Sequence, residues 1–198
     1  MEKVELNKEM KLSEHFTLGE LTKTSIKTED QNIPSRVAIE NLKNLCENWL
    51  EDLRYSYNTL YSRDSPQDTV AEPAEAQGPS EGIIINSGYR SSEVNKRAGG
   101  SSTSNHLTGC AVDIRVSGFE QAIRYASILL DISDGTKRDL TCSRVCSHSA
   151  DTMQASLCAR SPADFDELYI ERNKTGRYWI HFAVRPKDNR RKGNFILT

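Results

Sequence analysis

The sequence predicts a single α+β domain: a small, mostly antiparallel sheet with helices packed on one side. Three features carry that expectation: one long apolar stripe at helical spacing, several short runs of strand character, and turn residues between them. Thr17 followed by Glu20 in "TLGEL" has the spacing of a capping box and starts a short helix. Pro34 suits the first turn of the next helix. There Ala38, Leu42, Leu45, Cys46, Trp49, Leu50 and Leu53 recur at intervals of three and four, which marks a core stripe. "GIIIN" (82–86) is a β-branched run between glycine and "SG", hence a buried strand. "CAVDIRV" (110–116) alternates, which puts Ala111, Asp113 and Arg115 on one face and Cys110, Val112, Ile114 and Val116 on the other. Residues 119–132 form a helix with Ile123, Ala126, Ile128, Leu129 and Leu130 inward. "FDELYIE" (165–171) and "RYWIHFAVR" (177–185) read as a hairpin whose turn uses Asn173 and Gly176.

Composition limits the function classes. A chain of 198 residues with 36% apolar and 27% charged residues can bury a core. A formal charge of -2 and a pI near 6.1 argue against a general nucleic-acid binder. No apolar run suits a signal peptide or a membrane span, so synthesis in the cytoplasm without a leader is expected. Five cysteines, an odd number, argue for thiols rather than a disulfide framework. Residues 61–82, rich in Pro, Ala, Ser and acid, and the polar stretch 134–164 read as loop insertions. The second contains Cys142, Cys146, His148 and Cys158, enough donors for a structural zinc but in no regular finger spacing. The run "RPKDNRRKGN" (185–194) reads as a solvated basic terminus.

The stretch "SNHLTGCAVDI" (104–114) sets His106 seven positions before Asp113, with Gly109 and Ala111 between them. Catalytic zinc typically takes three ligands from His, Asp or Glu and keeps one position for water. His106, Asp113 and the strand residue His181 would supply that set. The spacing alone equally suits a half-exposed histidine and a strand-edge acid.

Three blocks together are more specific. Ser104, His106, Gly109, Ala111 and Asp113 match a Ser-x-His-x-x-Gly-x-Ala-x-Asp motif, Ser87 to Ser91 spell "SGYRS", and Trp179 and His181 form Trp-x-His. In these blocks the chain resembles the zinc D-Ala-D-Ala carboxypeptidase family, whose fold is shared by the hedgehog signalling domain. The opening "LSEHFTLGELTKT" and the helix "IPSRVAIENLKNLCENWLEDLR" are similar to one bacterial and phage branch. The resemblance implies a Zn2+ peptidase acting on the D-amino-acid-containing stem peptides of peptidoglycan, either as a carboxypeptidase or as a phage-type endopeptidase, and working as a monomer. It implies His106, Asp113 and His181 as metal ligands. It gives Arg90 the role of holding a substrate carboxylate or oxyanion, which suits the planar guanidinium fork. Ser104, Tyr178 and Trp179 are the further substrate-binding candidates.

The general base departs from the commonest pattern. Many relatives carry an acid three residues before the last histidine, where this chain has Tyr178. A phenol with an ordinary pKa near 10 is a poor base at neutral pH, so Tyr178 reads as packing or as an oxyanion donor. The branch this chain resembles takes its acid from a Phe-Asp-x-x-x-x-Glu strand, matched by Phe165, Asp166 and Glu171. Glu171 is therefore the expected base, with Asp166 and Glu167 behind it. If Arg172 pairs with Arg177, Glu171 faces away from His181; a one-residue bulge in "RNKTG" reverses that relation. A catalytically silent zinc-binding module and a structural phage component are the alternatives from other classes.

Overall fold

The computed structural model describes residues 7–61, 82–135 and 164–197. Apart from their ends, the insertions anticipated at 61–82 and 134–164 lie outside these residues, as do Cys142, Cys146, His148 and Cys158. The strands are β1 (Ile85–Ser87), β2 (Ala111–Arg115), β3 (Glu167–Arg172), β4 (Tyr178–Ala183) and β5 (Lys192–Leu197). They form one five-stranded sheet in the order β1-β2-β4-β3-β5. The helices are α1 (Leu18–Leu21), α2 (Arg36–Leu45), α3 (Glu51–Tyr61), α4 (Ser92–Arg97) and α5 (Phe119–Ser133), so the expected α+β class holds.

The expected mostly antiparallel sheet is corrected to a mixed one. β1–β2, β2–β4 and β3–β4 are antiparallel, but β5 runs parallel to β3. The chain leaves β4, crosses the start of β3 and returns along its outer edge. Backbone bonds from Arg191 to the Phe165 carbonyl (2.9 Å) and from Lys192 to the Asp166 carbonyl (3.0 Å) anchor the crossing. The basic run read as a solvated terminus is thus the crossover and the edge strand.

Local chemistry fixes the helix starts. The Thr17 hydroxyl accepts from the Glu20 amide (3.3 Å), as the cap spacing requires. The next helix begins two residues after Pro34, because the Ser35 hydroxyl accepts from the Ala38 amide (3.2 Å) and makes Ser35 the cap. Between α2 and α3 the chain makes one π-helical stretch, Cys46–Leu50, with the Glu51 amide donating to the Cys46 carbonyl. All seven residues of the expected stripe are buried. Each fully buried leucine in it contributes about 1.5–3 kcal/mol of hydrophobic stabilisation.

The sheet has two unlike faces, because side chains alternate along each strand. Val112 and Ile114 of β2, Ile180 and Phe182 of β4 and Leu168 of β3 face the helices and are buried. Trp49 packs its ring 5.0 Å from that of Phe182. α5 covers the same side through Ala122, Tyr125, Ile128 and Leu129. Ile123 and Leu130, expected inward, are 48% and 40% exposed: the buried stripe of α5 is centred one residue away from the expected one. The opposite face carries Asp113, His181, Tyr169, Glu167, Glu171 and Trp179.

Gly109 lies at the junction of the two blocks that contain His106 and Asp113. Its φ is +71°, and a Cβ there would stand 2.4 Å from the Ala38 carbonyl oxygen of α2. A left-handed backbone and a close approach are both required, and only glycine meets both. Gly109→Ala is expected to lower unfolding stability by about 2–4 kcal/mol, seen as a lower urea midpoint with an unchanged slope.

Candidate metal centre

His106 sits on a 3-10 turn, Asn105–Thr108, ahead of β2. The Ser104 hydroxyl accepts from the His106 amide (3.3 Å), and the Gly109 amide donates to the His106 carbonyl (3.2 Å), so both ends of the turn are closed. Ser104, a substrate-binding candidate, is thus placed as the cap of the turn that presents His106. Asp113 follows on β2 and lies directly opposite His181 on β4, on the same sheet face. Adjacent antiparallel strands therefore juxtapose residues 68 positions apart.

Asp113 Oδ1 lies 3.3 Å from His106 Nε2 and 3.0 Å from His181 Nδ1. One donor atom from each of the three residues falls within 4.8 Å of the others. His106 Nδ1 lies 2.6 Å from the Gly88 carbonyl oxygen, which only accepts. Nδ1 therefore carries a proton donated to that carbonyl, and Nε2 is the nitrogen turned toward Asp113. His181 Nε2 similarly lies 3.3 Å from Glu167 Oε2, which turns Nδ1 toward the centre. Two oriented imidazoles and one carboxylate, each imidazole held by an oxygen acceptor on its far side, are a donor set and outer support that could hold a metal ion such as zinc. The residues fit the metal.

The "SGYRS" block is built into the same centre. Arg90 Nη2 donates to Asp113 Oδ2, and Arg90 Nε donates to the Ser87 hydroxyl (2.8 Å). The Arg90 amide donates to the His106 carbonyl (3.1 Å). Gly88 is obligatory for packing, since a Cβ would come within 2.2 Å of the Leu21 carbonyl oxygen. Buried Asn32 ties the block down: its amide nitrogen donates to the carbonyls of Thr22 (2.9 Å) and Tyr89 (3.1 Å), and its oxygen accepts from the Ser91 amide (2.7 Å). Nothing in the local sequence around Asn32 announced that role.

The hairpin register settles which face Glu171 takes. The Asn173 amide donates to the Arg177 carbonyl (3.0 Å), and Gly176 has φ +83°. This is a three-residue loop closed by a left-handed glycine. Arg172 then pairs with Tyr178 and Glu171 with Trp179, so Glu171 shares the face of His181. Tyr178 goes to the other face, where its ring meets those of Phe119 (5.5 Å) and Phe195 (6.5 Å). The geometry does not bring Tyr178 to the centre; it is helix-side packing. Trp179 stays beside Glu171. Asp166 is fully buried and bound to Arg185 and Arg190, away from solvent.

The electrostatics separate the acids. Burial alone would raise the Asp113 carboxyl, but His106 and His181 outweigh it and hold it well below the ordinary range. Glu167 is held down at about 2, first by its bond to His181 and then by Asn105 (2.9 Å) and Arg190. Glu171 is raised, chiefly by burial. Burial would lower His181, yet its bonds to Asp113 and Glu167 raise it to about 9. The sequence ranked Glu167 behind Glu171 and did not identify Asn105 or Arg190.

In the metal-free protein His181 therefore contributes stability that is fully present below its unfolded pKa of about 6.5. That contribution is lost as pH rises through about 9. Unfolding free energy of the metal-free protein is expected to fall by about 2–4 kcal/mol between these limits. Zinc competes with the same proton, so its apparent affinity should climb about tenfold per pH unit from pH 7 toward 9. Denaturation curves and chelator competition across that range check both trends, and flat profiles would refute the paired-imidazole account.

Comparison with known proteins agrees with this geometry. No curated protein matches the chain. Among the described residues no helix is long and apolar enough to cross a membrane. Residues 72–140 match the sequence model of the family described as Peptidase M15. The matched segment includes Arg90, His106 and Asp113, whereas Glu171 and His181 reach the centre from outside it. Over these residues the chain is similar to that peptidase family.

Proposed function

We propose that this protein is a zinc-dependent peptidase that hydrolyses peptide bonds beside D-amino acids in peptidoglycan stem peptides or cross-links. The observation that carries the reading is the convergence of His106 Nε2, Asp113 Oδ1 and His181 Nδ1 within 4.8 Å on a polar sheet face that also presents Glu171. Zinc held by these three atoms supplies Lewis-acid polarisation of a carbonyl and lowers the pKa of water from about 15.7 toward 7.

The chain's own groups do the rest. Glu171 takes a proton from the attacking water and returns it to the leaving amine. Its raised pKa suits that shuttle, since a base works best when its pKa lies near the working pH. Glu167 is the poorer carrier, because His181, Asn105 and Arg190 already occupy its oxygens and favour the ionised form. Arg90 braces Asp113 through Nη2 and offers its remaining terminal nitrogen to a substrate carboxylate or developing oxyanion. Trp179 is the cross-strand neighbour of Glu171 on the same face.

The test is digestion of purified peptidoglycan and a synthetic D-Ala-D-Ala stem peptide, with and without chelator. Released D-alanine marks carboxypeptidase action, and uncross-linked stems mark endopeptidase action. Glu171→Gln is expected to lower kcat by about 100- to 10,000-fold with zinc stoichiometry unchanged. A wild-type protein that binds one zinc and cleaves neither substrate is the silent zinc-binding module instead.

A further inference from the structure

Glu167 reaches His181 from the start of β3, and two other groups hold it there. Its Oε1 accepts from Arg190 Nη2 (2.6 Å), and its Oε2 accepts from Asn105 Nδ2 (2.9 Å). Those same two residues also grip the preceding side chain, Asp166. Arg190 donates to it through Nε (2.7 Å), its backbone amide (3.1 Å) and Nη2, while Asn105 Nδ2 donates at 2.8 Å. Arg185 adds a further ion pair at 2.9 Å. Asp166 is wholly buried. A buried carboxylate with this many donors is a fixed anchor, and removing a partner leaves costly unpaired charge.

Each part of this network comes from a different piece of chain. Asn105 precedes the ligand His106, Asp166 and Glu167 open β3, and Arg190 lies on the crossover into β5. We propose that Asp166, Arg190 and Asn105 form a clamp that positions Glu167 against His181 Nε2, and so fixes the imidazole with Nδ1 toward the metal. Arg190 is the positioning residue that makes the clamp depend on the C-terminal crossover. Its guanidinium forks across two adjacent carboxylates, which a lysine cannot do. The inference rests on the zinc-site part of the proposed function and not on hydrolysis.

The test uses the full chain as wild type, Arg190→Lys, Arg190→Ala and Glu167→Gln. Zinc dissociation constants come from competition with a chromophoric chelator. The exchange rate of the His181 Nε2 proton comes from NMR of the zinc-loaded protein, and circular dichroism checks the fold. Loss of an outer partner of a metal-bound histidine typically weakens metal binding by about 10- to 100-fold. Glu167→Gln is expected within that range and Arg190→Lys at about tenfold, both with faster exchange of the His181 proton. Arg190→Lys keeps a cation on Asp166, so it decides the matter if Arg190→Ala fails to fold. Folded Arg190→Lys and Glu167→Gln proteins with wild-type zinc affinity and wild-type proton exchange overturn the clamp. A protein that shows these losses yet cleaves no peptidoglycan keeps the clamp and loses the peptidase assignment.

Discussion

The centre is organised by one buried carboxylate. Asp113 stands at the middle strand position of β2, where the alternation that buries Val112 and Ile114 against the helices turns it to the opposite face. Taking a carboxylate out of water costs several kcal/mol unless charges and hydrogen bonds replace the lost hydration. His106, His181 and Arg90 provide that replacement, each from a separate segment. Asp113 thus does two jobs that share one geometry: it gathers the segments in the metal-free chain, and it presents Oδ1 beside two imidazole nitrogens as a ligand set.

That arrangement depends on a sheet whose faces differ completely in character. The helix side is dry and close packed, with Trp49 and Phe165 against Phe182. The other side carries ionisable groups in rows set by strand pairing: Asp113, His181 and Tyr169 in one row, Arg115, Trp179 and Glu171 in the next. Tyr169 stacks on the His181 ring with 5.6 Å between centroids and planes 16° apart, which restricts how the imidazole can turn. The rows mean that a register error of one residue in β3–β4 would bury Glu171 among apolar side chains and expose Ile170. The polar turn "RNKTG" therefore has chemical consequences, although it lies outside the three candidate ligands His106, Asp113 and His181.

What could be read in the sequence follows from how local the determining interactions are. His106 and Asp113 were legible because a capped turn, a left-handed glycine and an alternating strand lie within ten residues of chain. The stripe from Ala38 to Leu53 was legible because helical period and burial agree along a single element. The face of Glu171 was not, since it turns on whether Arg172 pairs with Arg177 or with Tyr178, and both registers suit the same residues until Gly176 adopts φ +83°. Tyr178, read as packing or as an oxyanion donor, packs on the helix side because it lies an odd number of positions from His181 on the same strand. β5 was hidden because a short strand following a basic run has no periodicity to betray it, and its partner β3 is chosen by packing at a distance. Asn32, Asn105 and Arg190 were invisible because each acts through partners far away in sequence.

The two glutamates of β3 show how the fold assigns different chemistry to like residues. Both project to the metal face, four positions apart on one strand. Glu167 lies where the crossover and the His106 turn converge, so donors saturate it, and a saturated carboxylate is a good fixture and a poor proton carrier. Glu171 lies near the turn of the hairpin, opposite Trp179, where burial raises its pKa. Exchanging their surroundings would exchange their roles without changing a single atom of either side chain. The division of labour therefore resides in Arg190, Asn105 and the loop glycine rather than in the acids themselves, and a substitution in those supports would reach the chemistry without touching a ligand.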